Sequence, residues 1–287
     1  MMAMQQNIRN PAVAGAFYPA DPSELNTLLA ELFEKTSQPS SQPTPKAFIV
    51  PHAGYRFSGQ VAAQAFRTLE GRRIRTAVLL GNAHAALFDG IAIDPHDGWR
   101  TPLGTVPLDE MVRTRLIELD PTLYHQSDIA HRRDHVLEVQ LPLLQHALPP
   151  GFKILPLLFG QNPAGTYRQC AEALLPLLSN DDLLIASSDL SHYPTYHDAQ
   201  AIDPQTLEHM VRLDIQGLEQ HEKKVIRCEI PSLETLFCGT DAIKTVLEIG
   251  RRLGWKSELL DYRNSGDADH ASREAVVGYG AVMFTAP

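Results

Sequence analysis

Short, unbroken apolar runs recur along this chain, with amphipathic stretches between them. The runs are Ala47-Phe48-Ile49-Val50, Thr76-Ala77-Val78-Leu79-Leu80, Ile154-Leu155-Pro156-Leu157-Leu158 and Leu183-Leu184-Ile185-Ala186. Continuous rather than alternating hydrophobicity marks strands covered on both faces, as in a sheet between two layers of helices. Helical spacing predicts helices over 60–69, 136–146, 167–178 and 241–253. A further helix is predicted over 21–35, with Asp21 as cap, Pro22 in the first turn, and Leu25, Leu28, Leu29 and Leu32 along one side. Residues 257–263 and 275–284 read as two more strands, although Gly278 and Gly280 weaken the second. Residues 36–45 are rich in Ser, Gln and Pro and carry no apolar period, which predicts a surface linker. With no internal repeat, the simplest architecture is a single α/β domain over 1–287, a three-layer αβα sandwich around a largely parallel or mixed sheet.

Composition limits what such a domain does. The 287 residues are 44% apolar and 21% charged, ordinary for a protein with a real core. A formal charge of -9 and a pI near 5.7 argue against nucleic acid or an anionic membrane as partner. Arg72-Arg73, Arg132-Arg133 and Arg251-Arg252 are isolated doublets rather than a basic patch. The N-terminal residues lack a basic region followed by an apolar stretch, and no long apolar run follows, so a cytoplasmic location is expected. Cys170, Cys228 and Cys238 are odd in number and widely spaced, which fits a reducing compartment.

Candidate chemistry sits where these strands end. Pro51-His52-Ala53-Gly54-Tyr55, Gly81-Asn82-Ala83-His84 and Ser187-Ser188-Asp189-Leu190-Ser191-His192 each follow an apolar run, and Phe237-Cys238-Gly239 precedes a helix. The crevice outside the carboxyl ends of parallel strands is where ligands bind in open α/β sheets, so these side chains can converge there. His52 and His84, if on successive strands about 4.8 Å apart, could share a ligand. Imidazole and thiolate in one crevice suggest a metal. Each residue also has a plainer reading: a capping histidine, a helix-capping Asp189 or Ser188, a buried thiol. A thiolate at Cys238 would be favoured by the helix that begins beside it. Cys170 and Cys228 read as inert core thiols. No G-x-S-x-G elbow surrounds Ser187, Ser188 or Ser191, which argues against a serine hydrolase.

Taken in order, these motifs resemble a known family. Pro11-Ala12-Val13-Ala14-Gly15-Ala16-Phe17-Tyr18-Pro19, the His52 and His84 segments, Asp134-His135-Val136-Leu137-Glu138-Val139-Gln140-Leu141-Pro142, the Asp189 to His192 segment and Cys238-Gly239 are similar to the Memo-like family. Its bacterial and archaeal members are named protein B of the AmmeMemoRadiSam system. The likeness spans about 9–284. It implies a fold like the catalytic subunit of class III extradiol dioxygenases, the LigB-like fold. By motif, the resemblance implies His52, His84 and Cys238 as metal ligands, His192 as acid/base, and Asp189 in the same pocket. It also implies iron or copper binding, a small-molecule or peptide substrate, radical-SAM and AMMECR-type protein partners, and, from eukaryotic relatives, phosphotyrosine-peptide binding. Two departures stand out. The family commonly has Gly-Pro-Ser/Thr-His where this chain has Gly81-Asn82-Ala83-His84, which is expected to loosen the His84 loop. A proline is common shortly after Cys-Gly, where Thr240-Asp241-Ala242 stands here, so Asp241 would cap the helix and oppose the thiolate.

The residues argue the chemistry on their own terms too. Two imidazoles and one thiolate leave positions on a divalent ion for water, O₂ or an anionic substrate, and sulfur draws preference toward Cu(I), Zn(II) or thiolate-ligated Fe(II). Fe(II) is the first choice, Cu or Zn the alternatives. Asp189 would favour the charged form of His192 as proton carrier. His135 and Glu138, three apart at a helix start, would share one face and orient a ligand imidazole, with Tyr55 and Tyr18 as pocket walls. The leading expectation is a mononuclear non-haem oxidoreductase. The alternatives are a non-catalytic module for an anionic or phosphotyrosine-like peptide, an accessory of a radical-SAM protein-modification system, and a zinc hydrolase using Asp189 or Glu138 as base.

Overall fold

A computed structural model describes residues 6–36, 43–268 and 271–287. In chain order its strands are β1 (Ile8–Arg9), β2 (Pro45–Val50), β3 (Thr76–Asn82), β4 (Ile91–Ile93), β5 (Gly98–Thr101), β6 (Gly104–Pro107), β7 (Tyr124–Gln126), β8 (Lys153–Phe159), β9 (Leu183–Ser187), β10 (Lys256–Asn264) and β11 (Gly278–Thr285). The helices are α1 (Pro22–Glu34), α2 (Tyr55–Phe66), α3 (Glu110–Leu119), α4 (Asp128–His131), α5 (Gln140–Ala147), α6 (Thr166–Leu174), α7 (Tyr196–Val211), α8 (Ile215–Arg227) and α9 (Thr240–Leu253).

The main sheet is mixed and runs β10-β11-β2-β9-β3-β8-β4-β7. Its centre, β2-β9-β3-β8, is parallel, while β11 and β4 join it antiparallel. Strand residues alternate between two apolar cores. Phe48, Val50, Ala77, Leu79, Leu183 and Ile185 face α1, α2 and α5, whereas Ala47, Ile49, Val78, Leu80, Leu184 and Ala186 face α6, α7, α8 and α9. Helices thus cover both faces, the arrangement that continuous apolar strands require. A small second sheet, β1-β5-β6, packs onto the first of these cores through Trp99 and Val106.

Several predicted boundaries shift. Asp21 caps α1 as expected, accepting from the backbone of Ser23 and Glu24. The helix predicted over 60–69 starts earlier, at Tyr55. The helix predicted over 136–146 starts only at Gln140, because 136–139 form turns that pack the end of β3. The helix predicted from 167 ends at Leu174. Of the predicted linker, 37–42 lie outside the described residues, and its two ends are not loose: Thr36 is buried with its hydroxyl on the Phe33 carbonyl, and Pro45 opens β2. Gly278 and Gly280 sit inside β11 rather than interrupting it. At Gly278 a Cβ would stand 2.1 Å from the Asp203 carboxylate, so only glycine lets α7 approach this strand.

Most consequential is strand order. β9 lies between β2 and β3, so His52 and His84 do not end neighbouring strands as expected. The register nonetheless levels the three ends, pairing Val50 with Ser187 and Gly81 with Ser187. His52, His84 and the Asp189 loop therefore leave the sheet side by side.

Candidate metal centre

His52 leaves β2 after Pro51 and is buried. His84 leaves β3 and is exposed, and Cys238 sits between them in exposure, just ahead of α9. Gly239 permits that approach, since a Cβ there would meet Ser188 Cβ at 2.6 Å and the Ser187 carbonyl at 2.8 Å. One ligand atom from each of His52, His84 and Cys238 lies within 4.8 Å of the others, and Cys238 Sγ is 3.2 Å from His52 Nε2. Donors around a tetrahedral ion with ordinary M–N and M–S bonds stand about 3.3–3.6 Å apart, so the trio fits a small cation.

The ring tautomers suit the same role. His84 Nδ1 lies 2.8 Å from the Asn82 carbonyl, which can only accept, so Nδ1 carries the proton and Nε2 is left as donor to a metal. At His52 the partner is Ser187 Oγ, 3.1 Å from Nδ1. The Ser187 hydroxyl gives its own proton to the Val136 carbonyl at 2.5 Å and accepts from Gln140 Nε2 at 2.9 Å. Its oxygen is thus an acceptor toward His52, and His52 Nε2 is left unprotonated toward Cys238. Ser187 is committed to this network, which agrees with the absence of a serine-hydrolase motif.

Burial keeps the charge on His52 and Cys238 low. Burial, then the neighbouring His84, His135 and His192, hold the His52 imidazolium well below the usual histidine range. Burial, then Asp189, pushes the Cys238 thiol up to about 12, contrary to the thiolate expected from a helix terminus. Desolvation outweighs the helix end here, whose Gly239 N–H is already given to Ser188 Oγ at 2.8 Å. The close Cys238–His52 pair is therefore thiol and neutral imidazole, and a bound cation would supply the charge that a thiolate needs.

Asp189 does not serve His192. Its carboxyl accepts from the His52 backbone at 2.7 Å and from that of Ala53, and burial raises it to about 7. His192 holds its Nδ1 proton against the Leu190 carbonyl at 2.8 Å, which leaves Nε2 as the acceptor nitrogen. Burial lowers its basicity, the reverse of the expected push from Asp189. Tyr193 beside it adopts a left-handed φ of 69° and lays its ring 5.7 Å from the imidazole.

His135 and Glu138 do not share a face, because no helix runs through them. The His135 ring stands 5.5 Å from His52 and 5.6 Å from His84, backed by Phe17 at 4.7 Å. Glu138 points the other way and is fully satisfied by Arg9 Nη1 at 2.6 Å, the Ala12 and Val13 backbone, and Tyr18 Oη at 2.8 Å. It is a buried structural anchor rather than a base. Tyr55 likewise spends its hydroxyl on the Val139 carbonyl at 2.6 Å, so both tyrosines support the pocket from behind.

The two departures from the family pattern meet each other. Asn82 Oδ1 accepts from the backbone of Asp241 and Ala242, and Asn82 Nδ2 donates to Asp241 Oδ2 at 3.1 Å. Asn82, not Asp241, caps α9, and this stitches the His84 loop to the Cys238 helix instead of loosening it. Cys170 is buried as expected, but Cys228, just after α8, is exposed.

Comparison with known proteins bears on this geometry. A family model for Memo-like proteins matches residues 9–283. The chain belongs to the Memo-like family. Its relatives include MEMO1 family proteins of Methanopyrus kandleri, 33% identical over 96% of this chain and 98% of the relative. Those of Sulfolobus acidocaldarius are 34% identical and those of Archaeoglobus fulgidus 33%, each over 96% of this chain and 99% of the relative. Among the described residues of this Memo-like chain, no helix is long and apolar enough to cross a membrane.

Proposed function

We propose that this Memo-like protein is a mononuclear metal protein whose ion is held by His52, His84 and Cys238, and that it is a non-haem oxidoreductase with Fe(II) as first choice and Cu or Zn as alternatives. The observation that carries the reading is the convergence of two correctly tautomerised imidazoles and one thiol within 4.8 Å. A carboxylate-free His/His/Cys set is soft enough to keep iron and copper both open. An ion so held supplies Lewis-acid or redox chemistry and keeps coordination positions for O₂ or an anionic substrate. His84 is the exposed member, so substrate reaches the site from that side.

The protein's own residues do the rest. His192 keeps its proton at Nδ1 and offers Nε2 to take one from a substrate hydroxyl or acid. His135, its ring near both ligand histidines, lines the cavity. Asp189 fixes the His52 backbone. This reading also carries the likeness to the class III extradiol dioxygenase fold, without assigning dioxygenase chemistry to a site where sulfur stands for the carboxylate.

Oxygen uptake by metal-loaded protein separates the enzyme from a binding module. We expect His192→Asn to keep the wild-type metal content and lose at least 90% of substrate-dependent uptake. Wild-type protein that consumes no O₂ and binds an anionic peptide equally well with and without metal would contradict the enzyme and favour the module.

A further inference from the structure

The Asp189 contact has a counterpart. Asp134 is buried, and its Oδ2 accepts from the His84 backbone at 2.7 Å and the Ala85 backbone at 3.0 Å, while Oδ1 accepts from Val136 at 3.0 Å. Asp189 accepts from His52 at 2.7 Å and from Ala53. Each ligand histidine and the residue after it are therefore gripped at the backbone by a buried aspartate from another loop. Asp134 precedes His135 by one residue and Asp189 precedes His192 by three, so each grip also ties a ligand histidine to a loop carrying another site histidine.

We infer that Asp134 is a positioning residue for the metal centre, setting the place of His84 as Asp189 sets that of His52; this rests on the metal reading above. Three features support it. β9 separates β2 from β3, so no strand ladder ties the His52 and His84 loops directly to each other. His84 is exposed, and its position relative to buried His52 depends on what holds its backbone. Burying a carboxylate is costly unless its lone pairs are used, and Asp134 uses both oxygens on three N–H groups, a commitment that fixes a loop rather than a single bond. With the Asn82 carbonyl on Nδ1, His84 is held at backbone and ring together. Groups that orient a metal ligand in this way typically change metal affinity about 10–100-fold when removed.

The test uses full-length metal-free protein, amide hydrogen exchange, and Co(II) titration followed by the thiolate-to-Co(II) absorption band. For Asp134→Ala we expect exchange at residues 84–85 to quicken at least 10-fold with residues 52–53 unchanged, and Co(II) affinity to fall about 10–100-fold. Asp134→Asn, which keeps one acceptor oxygen, should fall between, and it carries the test if the alanine variant does not fold. In a His84→Ala background, Asp134→Ala should cost no further affinity. Asp109→Asn, at a buried aspartate that bonds Thr76 at the opposite end of β3, is the control and should leave both readings at wild-type values. Unchanged exchange, unchanged Co(II) affinity, or an undiminished loss in the His84→Ala background each overturns the inference. Wild-type protein that takes up no Co(II) refutes the metal reading and the positioning claim with it, while the exchange arm still reports the grip itself.

Discussion

His52, His84 and His192 each spend Nδ1 on an oxygen of the surrounding loops, and this one habit decides what the site can do. It leaves each ring's Nε2 as the nitrogen turned away from that bond, and on the proposed reading two of them face a cation and one handles a proton. Cysteine behaviour follows from the same burial. Cys228 is exposed, whereas burial pushes Cys238 and Cys170 each up to about 12. At pH 7.5 iodoacetamide should label Cys228 at least 10-fold faster than Cys238, and Cys170 only after unfolding; peptide mapping reads the order, and equal labelling of Cys228 and Cys238 would refute it. The positions of His52, His84 and Cys238 were legible because each follows a buried strand or precedes a helix, where the chain must turn toward the crevice. The roles of Asp134, Ser187 and Gln140 were not, because each depends on a contact with a loop roughly 50–140 residues away that no local pattern encodes. The same blindness misassigned Asp189 to His192 and Glu138 to the metal side.

Among the elements, β9 matters most. Inserted between β2 and β3, it delivers Ser187 to His52 and starts the loop that carries Asp189 and His192. The sequence predicted all four central strands, since unbroken apolar runs have few other homes. It did not predict their order, which is set by crossovers, nor the short strands β1 and β4 to β7 or the helices α3, α4, α7 and α8. Helix α7 supplies a pH-dependent element of stability. Asp203, buried against Gly278, accepts from the Ser191 backbone at 3.2 Å and Tyr262 Oη at 3.0 Å, and burial raises its carboxyl to about 6. A carboxyl raised on folding binds its proton more tightly in the native state than in the unfolded one. Its contribution is therefore most favourable below about pH 4 and is lost as pH climbs to about 6. The full effect is on the order of 3 kcal/mol. Urea unfolding of wild type and Asp203→Asn between pH 4 and 7 should show the variant gaining relative to wild type as pH rises. A constant difference across that range would contradict this account of Asp203.

At the level of the whole molecule, a mixed sheet with helices on both faces holds its candidate site at the carboxyl ends of central strands, where three loops and one helix start meet. Stability and chemistry are separated along the strands: Asp109 and Thr76 tie the far end of β3, while Asn82, Asp134 and Asp241 organise the near end. Membership of the Memo-like family covers nearly the full chain, and the predicted three-layer character follows from the same apolar pattern that placed the candidate residues. What joins the scales is the claim that one metal ion sits among His52, His84 and Cys238. Its most direct measurement is metal content per chain, by elemental analysis after anaerobic purification, in wild type and in His52→Ala, His84→Ala and Cys238→Ala. The account predicts about one ion per chain in wild type and less than a tenth of that in each folded variant; stoichiometric metal retained in all three would contradict it.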